Sequence, residues 1–178
     1  MLTRTSITEM PSFFMPYASL VPDNVMVTDA LRIYGGIETL EKELPKLEKM
    51  GDFVYAEGKW TAKQMLQHII DAERVFAYRA MRIARRDATP LAGFNENHYV
   101  ENADVSGRSV ADLVQEFGLL RQVNVVLFHH LSAENLCWAG TSSNHKICAL
   151  ALGFIMCGHV MHHLTVLEQR YYSALGLV

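Results

Sequence analysis

Paired cysteines, an excess of charge of one sign and long hydrophobic runs are all missing from this sequence, and each absence removes a class of protein. Cys137, Cys148 and Cys157 stand apart in mostly apolar surroundings, with no Cys-x-x-Cys spacing. They read as buried, reduced thiols of a cytoplasmic protein rather than as a disulfide framework. Sixteen basic residues against nineteen acidic ones leave a formal charge of −3. That balance gives no electrostatic reason to expect nucleic acid or an anionic membrane as a partner. The first residues hold no long apolar core, and Pro11 and Pro16 interrupt them, so they do not read as a secretory signal. The most hydrophobic stretch, Ile147 to Gly158, is shorter than the roughly 20 residues that cross a bilayer, and it reads as a buried helix. Phosphate loops, Gly-x-Gly-x-x-Gly, Gly-x-Ser-x-Gly and His-Glu-x-x-His are absent. No Glu stands three residues before a His, so the Glu-x-x-His pattern of di-iron carboxylate bundles is missing too.

What is present is helical periodicity, with half of the residues apolar. Residues 1–26 read as an irregular arm, and 27–178 as a single domain. A first helix is expected over Val27 to Met50, with Gly35-Gly36 and Pro45 as points of a break or kink. Thr61 and Gln64 have the spacing of a capping box, and Met65, His68, Ala72, Val75, Arg79 and Ile83 follow on one stripe of a second helix. Its basic end, with Arg82, Arg85 and Arg86, suits the negative pole of the helix. Ala88 to Gly107 is polar and turn-rich, and long for a bundle loop; such loops often cover a site. A third helix from Ser109 carries Leu113, Phe117, Leu120, Val123, Leu127 and Leu131 on one stripe. After a short linker, with Asn144 as its cap, a fourth helix runs to about Leu175. The expectation is an all-α four-helix bundle, with a long crossover loop between the second and third helices.

Eight histidines are distributed unevenly. His159 and His163 lie one turn apart on the apolar stripe of the fourth helix, facing the interior. Buried imidazoles need partners for their nitrogens, and two of them one turn apart cannot both carry charge without repulsion. A divalent cation resolves this, binding neutral ring nitrogens at about 2.0–2.1 Å. His68, on the inward stripe of the second helix, is the third candidate ligand. Three histidines leave coordination positions open for water or substrate. His162 is expected at the surface, His129 and His130 at a helix end, and His98 and His145 in loop or cap positions. A haem held between His68 and His159 is the rival reading, disfavoured by the closeness of His159 to His163. Cys157 faces away from His159 and reads as core packing. Trp60 and Trp138 are expected to pack against helix ends.

The segment from Gly58-Lys59-Trp60-Thr61 to His68, continuing through Ile70-Asp71-Ala72-Glu73-Arg74 to Arg79, resembles the second-helix signature of the DinB/YfiT-like metalloenzymes. Gly158-His159-Val160-Met161-His162-His163-Leu164, ending in Glu168-Gln169-Arg170-Tyr171-Tyr172, resembles their fourth-helix signature. The resemblance covers roughly residues 27 to 172. It implies a four-helix bundle of unusual connectivity and a metal triad at His68, His159 and His163, with zinc, nickel, iron or manganese as the ion. It also implies a small-molecule substrate, with a low-molecular-weight thiol as one candidate, and chemistry of the thiol S-transferase or hydrolase type through metal activation of a thiol or water. A non-catalytic, stress-related metal-binding protein is the alternative. The oligomeric state is open, with a homodimer as one option. Asp71 and Glu73 are candidates to orient the ligand histidines, against a surface ion pair of Asp71 with Arg74 or Lys63. Arg79 and Arg121 are candidates to bind an anionic substrate group, against pairing between helices with Glu73 or Glu116.

Overall fold

In the computed structural model, which describes residues 2–177, the chain opens with two 3-10 turns, Arg4–Ser6 and Ser12–Phe14, and one helical turn, α1 (Met15–Ala18). Helices α2 (Val27–Ile33), α3 (Ile37–Met50), α4 (Ala62–Ala84), α5 (Glu96–Asn102), α6 (Val110–His129) and α7 (Ala133–Cys137) follow. An antiparallel hairpin, β1 (Ala139–Ser142) and β2 (His145–Cys148), leads into α8 (Ala149–Val166), which continues through a π-helical turn, Leu167–Tyr172, as far as Leu175. The bundle is formed by α3, α4, α6 and α8.

Local chemistry accounts for most of these boundaries. Thr61 and Gln64 bond reciprocally at the start of α4, the hydroxyl accepting from Gln64 N at 3.3 Å and the amide oxygen from Thr61 N at 2.9 Å. Ser109 and Asp112 repeat the motif at α6. The expected first helix is two helices. The break falls at Gly35, whose φ of +66° no side chain adopts easily and whose missing Cβ would lie 2.8 Å from the Cys157 carbonyl oxygen. Helix α3 continues through Pro45.

The linker before the fourth helix is not a plain linker. Ser143 and Asn144, with φ of 49° and 65°, form a two-residue hairpin turn between Ser142 and His145, so Asn144 is a turn residue and α8 starts at Ala149. Strands of four residues are too short for period-two alternation to register. The fold is therefore mostly helical with one small hairpin, rather than wholly α. Leu91, after α4, bonds to this hairpin through Leu91 N to Thr141 O and Ser143 N to Leu91 O, both 2.9 Å.

From Ala149 to Val160 every residue of α8 is buried. A helix apolar all round belongs in a core or a membrane. Ala149–Leu175 is long and apolar enough to cross a bilayer, contrary to the expectation drawn from Ile147–Gly158 alone, yet 67% of its most apolar window is buried by the rest of the chain. The arm packs on it: Ala18 and Val21 are fully buried. A Cβ at Gly158 would lie 1.9 Å from the Tyr17 carbonyl oxygen, so only glycine admits this approach of α1.

A buried ion pair joins the helices. Arg121 on α6 donates to both carboxylate oxygens of Glu73 on α4, at 2.8 and 3.0 Å, and the Asn124 amide donates to the same carboxylate at 2.9 Å. Its remaining N–H groups reach the carbonyls of Leu31, Gly35 and Met156. Glu73 and Arg121 are each 2% exposed. The second expectation for Arg121, pairing between helices, is thus the one realised. Val123 is not on the buried stripe of α6; it is 66% exposed, and Arg121 and Asn124 take the inward positions.

Removing one member of such a pair leaves an uncompensated buried charge. Arg121→Met is expected to destabilise the protein by about 3–5 kcal/mol. Glu73→Leu combined with Arg121→Met should recover a substantial part of that loss. Denaturant titration of the two single variants and the double variant measures the coupling, and additive losses would show that the two side chains do not act as a pair.

Candidate metal centre

The site lies where α4 crosses α8, between an apolar cluster around α2, α8 and the arm and another around α3, α4 and α6. The capping box fixes the start of α4, and His68 falls one turn after Gln64 with Met65, Ile69 and Ala72 buried about it. His159 follows Gly158, where the Tyr17 backbone presses on the helix, and His163 follows one turn later. All three histidines are at most 9% exposed.

The ring nitrogens converge. His159 Nε2 is 3.0 Å from His68 Nε2 and 3.1 Å from His163 Nε2. An imidazole nitrogen offers either one N–H or one lone pair. Hydrogen bonding therefore accounts for one of these two contacts, while a shared cation accounts for both. Nitrogens each about 2.0–2.1 Å from one ion stand roughly 3.0–3.4 Å apart, the separation found here. The donor set fits a divalent metal of the borderline class. Haem fits poorly, because nitrogens this close leave no space for a porphyrin plane between His68 and His159.

Electrostatics favour the ligating form of all three rings. Burial lowers the His68 pKa to about 4, opposed by the Glu96 charge. Burial, reinforced by the positive charge of His68 and His162, lowers that of His163 to about 3. His159 is held well below the usual imidazole range, by burial first and then by the neighbouring rings. Near neutral pH the lone pairs are free to bind a cation.

No carboxylate orients these rings among the described residues. Asp71 accepts from Gln67 and pairs with Arg74, so the surface ion pair holds in place of an orienting role. Glu73 is committed to Arg121 and Asn124. Buried His163 Nδ1 has no hydrogen-bond partner. His162 is exposed and packs edge-on against Tyr17, His129 and His130 close α6, and His98 lies on α5. His145, on β2, packs edge-on against Phe13. Cys157 donates to Gly153 O, and burial pushes its thiol up to about 12.

A cavity of about 440 Å³ opens beside the three rings. His68, Ala72, Phe76 and Arg79 run along its α4 side, and Phe13, Phe14 and Tyr17 from the arm close another. The connection after α4 contributes Phe94 and Glu96, as its length suggested, and the hairpin contributes Ser143. Trp60 lies 4.8 Å from the His68 ring, against the site rather than merely at a helix end. The arm aromatics, Glu96 and Ser143 were not legible as site residues. Of these, only the length of the 88–107 connection gave a signal.

The model of the DinB superfamily matches residues 42–167, a span that contains all three histidines. No curated protein matches the chain. Among solved structures, the chain is similar to YfiT from Bacillus subtilis, a probable metal-dependent hydrolase with an unusual four-helix bundle topology. The two share 13% identity at a TM-score of 0.74, covering 89% of this chain and 94% of that one, so they share a fold.

The lowered pKa values set a pH dependence for the metal-free protein. The unfolded chain takes up protons near pH 6.5, while the folded rings resist protonation until about pH 4 and below. The stability contributed by the neutral rings is thus fully present above pH 6.5 and lost as pH falls toward 4. Melting of chelator-treated protein between pH 7.5 and 4.5 should show this acid slope, and His68→Leu should make it shallower. Equal slopes would mean that His68 is not buried in its neutral form.

Proposed function

The chain belongs to the DinB superfamily, and on that footing we propose that it is a metal-dependent enzyme in which His68, His159 and His163 hold one divalent ion. The observation that carries the reading is the meeting of three Nε2 atoms from two distant segments, 3.0 and 3.1 Å apart at His159, on the wall of a cavity. An ion held there would act as a Lewis acid, lowering the pKa of a water or thiol and polarising an electrophile.

The protein's own groups supply the remainder. Trp60, Phe76 and Tyr17 surround the rings and restrict the access of bulk water. Among the described residues Glu96 is the one carboxylate lining the cavity, and its charge is felt at both His68 and Tyr17. It is the group we assign to accept a proton from the nucleophile. The chain's cysteines lie outside the cavity lining, so a thiol nucleophile would come from a small molecule. Hydrolysis is supported by the fold shared with YfiT; transfer to a low-molecular-weight thiol is the second form of the same chemistry.

We also read residues 85–109 as the crossover connection. Gln67 with Arg108 and Glu73 with Arg121 suit α4 and α6 running in the same direction, which a short loop cannot join.

Metal analysis of protein purified without chelator should give about one ion per chain. His163→Ala should lose most of the ion while keeping the helical circular dichroism, because the apolar helices pack without it; full metal content in that variant would overturn the ligand set. Glu96→Gln should keep the ion and lose about 10²–10⁴-fold in turnover. Ester and amide substrates in water, against an electrophile with an added small thiol, separate hydrolase from transferase.

A further inference from the structure

The two arginines buried in the bundle differ in how they are neutralised. Arg121 has the Glu73 carboxylate and three carbonyls. Arg79, 5% exposed, has no carboxylate within ion-pair distance among the described residues. Its Nη2 donates to Ala92 O at 2.9 Å and to Ser143 Oγ at 3.0 Å, both uncharged acceptors. The N–H groups on Nε and Nη1 have no protein acceptor among the described residues, and the guanidinium carbon sits 5.5 Å from the centre of the Phe94 ring. Burial acts to pull its pKa down. A cation removed from water without a counter-charge is costly, and a guanidinium with free donors is built to take a planar anion.

Its position gives that anion a place. Arg79 and His68 lie three turns apart on α4, about 16 Å along the axis. Ala72 and Phe76 lie between them on the same side of the cavity. The guanidinium's neighbours Phe94 and Ser143 line the same cavity as the three histidines, which places Arg79 on that cavity's wall. The walls between the two ends are aromatic: Phe13, Phe14, Phe76 and Phe94.

We infer that the substrate is a small organic carboxylate with an apolar or aromatic body, its anionic group bound by Arg79 and its reacting end at the three histidines. Arg79 is a specificity-determining residue in this account. The inference rests on the proposed metal site only for where the chemistry occurs; anion binding by Arg79 does not require the ion. The Ala92 and Ser143 contacts hold the guanidinium in place from the hairpin side, leaving its other donors for the ligand.

The probes are ω-phenyl carboxylates from benzoate to 5-phenylpentanoate and their primary amides, titrated calorimetrically into the wild-type protein with and without its ion. At least one carboxylate is expected to bind tenfold or more tightly than its amide, in both forms of the protein. Arg79→Gln should abolish that preference while retaining metal content, and Arg79→Lys should restore part of it. Melting curves establish that each variant is folded. A series in which no carboxylate outbinds its amide overturns the inference, and so does an Arg79→Gln protein that keeps the preference. A preference present only with the ion also overturns it, since the metal would then be the anion's partner. A wild-type protein that takes up no divalent ion at all, yet prefers carboxylates through Arg79, would defeat the metal reading and leave this one standing.

Discussion

The Glu73–Arg121 pair is the contact around which the bundle is arranged. A carboxylate and a guanidinium can both lie 2% exposed only if nearly every donor and acceptor is matched, and the matching here draws on several elements at once. Glu73 comes from α4 and Arg121 from α6. The Leu31 and Gly35 carbonyls come from α2 and the break before α3, and the Met156 carbonyl from α8. Apolar packing alone tolerates small rotations and slips. A directed network of this kind does not, because a displaced helix leaves a buried charge without its partner.

That rigidity bears on the site. Glu73 lies on the same helix as His68, and Met156 lies just before His159 on α8. The network therefore fixes the relative rotation and height of the two helices that bring the histidines together. Three side chains from two segments must meet within a few tenths of an ångström for a common ligand, and such precision comes from the supporting structure rather than from the ligands themselves. The network also keeps Glu73 from the rings. The histidines consequently face one another with no carboxylate behind them, and burial governs their protonation.

The two ends of the cavity are built on opposite principles. At one end, neutral imidazoles are desolvated so that their lone pairs are available. At the other, a permanent cation is desolvated without a counter-charge. Between them stand aromatic rings drawn from the arm, from α4 and from the connection before α5. A ligand bound as proposed, between a lone-pair end and a cationic end with an apolar middle, would be selected for orientation as well as for size.

Much of this could be read from the sequence. The helical period of α4, the apolar run of α8, the capping box at Thr61 and the inward His159/His163 pair follow from local chemistry, and local chemistry is what a sequence displays directly. Gly35-Gly36 reads as a point of break or kink, and the chain breaks there; the hairpin at Ser143-Asn144 and the full inward face of α6 did not follow. Hydrophobic patterning marked Val123 as buried and missed Asn124, and it left Arg121 between an anion site and a pairing with Glu73 or Glu116, because polar residues can occupy the core only when a partner such as Glu73 arrives from another helix to neutralise them.

The sequence by itself determined which segments coil and which residue types were available for a metal. Only the tertiary structure decided that Asp71 pairs at the surface, that Glu73 is spent on Arg121, and that Phe13, Tyr17, Glu96 and Ser143 come to one cavity. The reason is physical: periodicity and caps act within a few residues of the chain, whereas burial and charge pairing depend on which distant segments end up as neighbours.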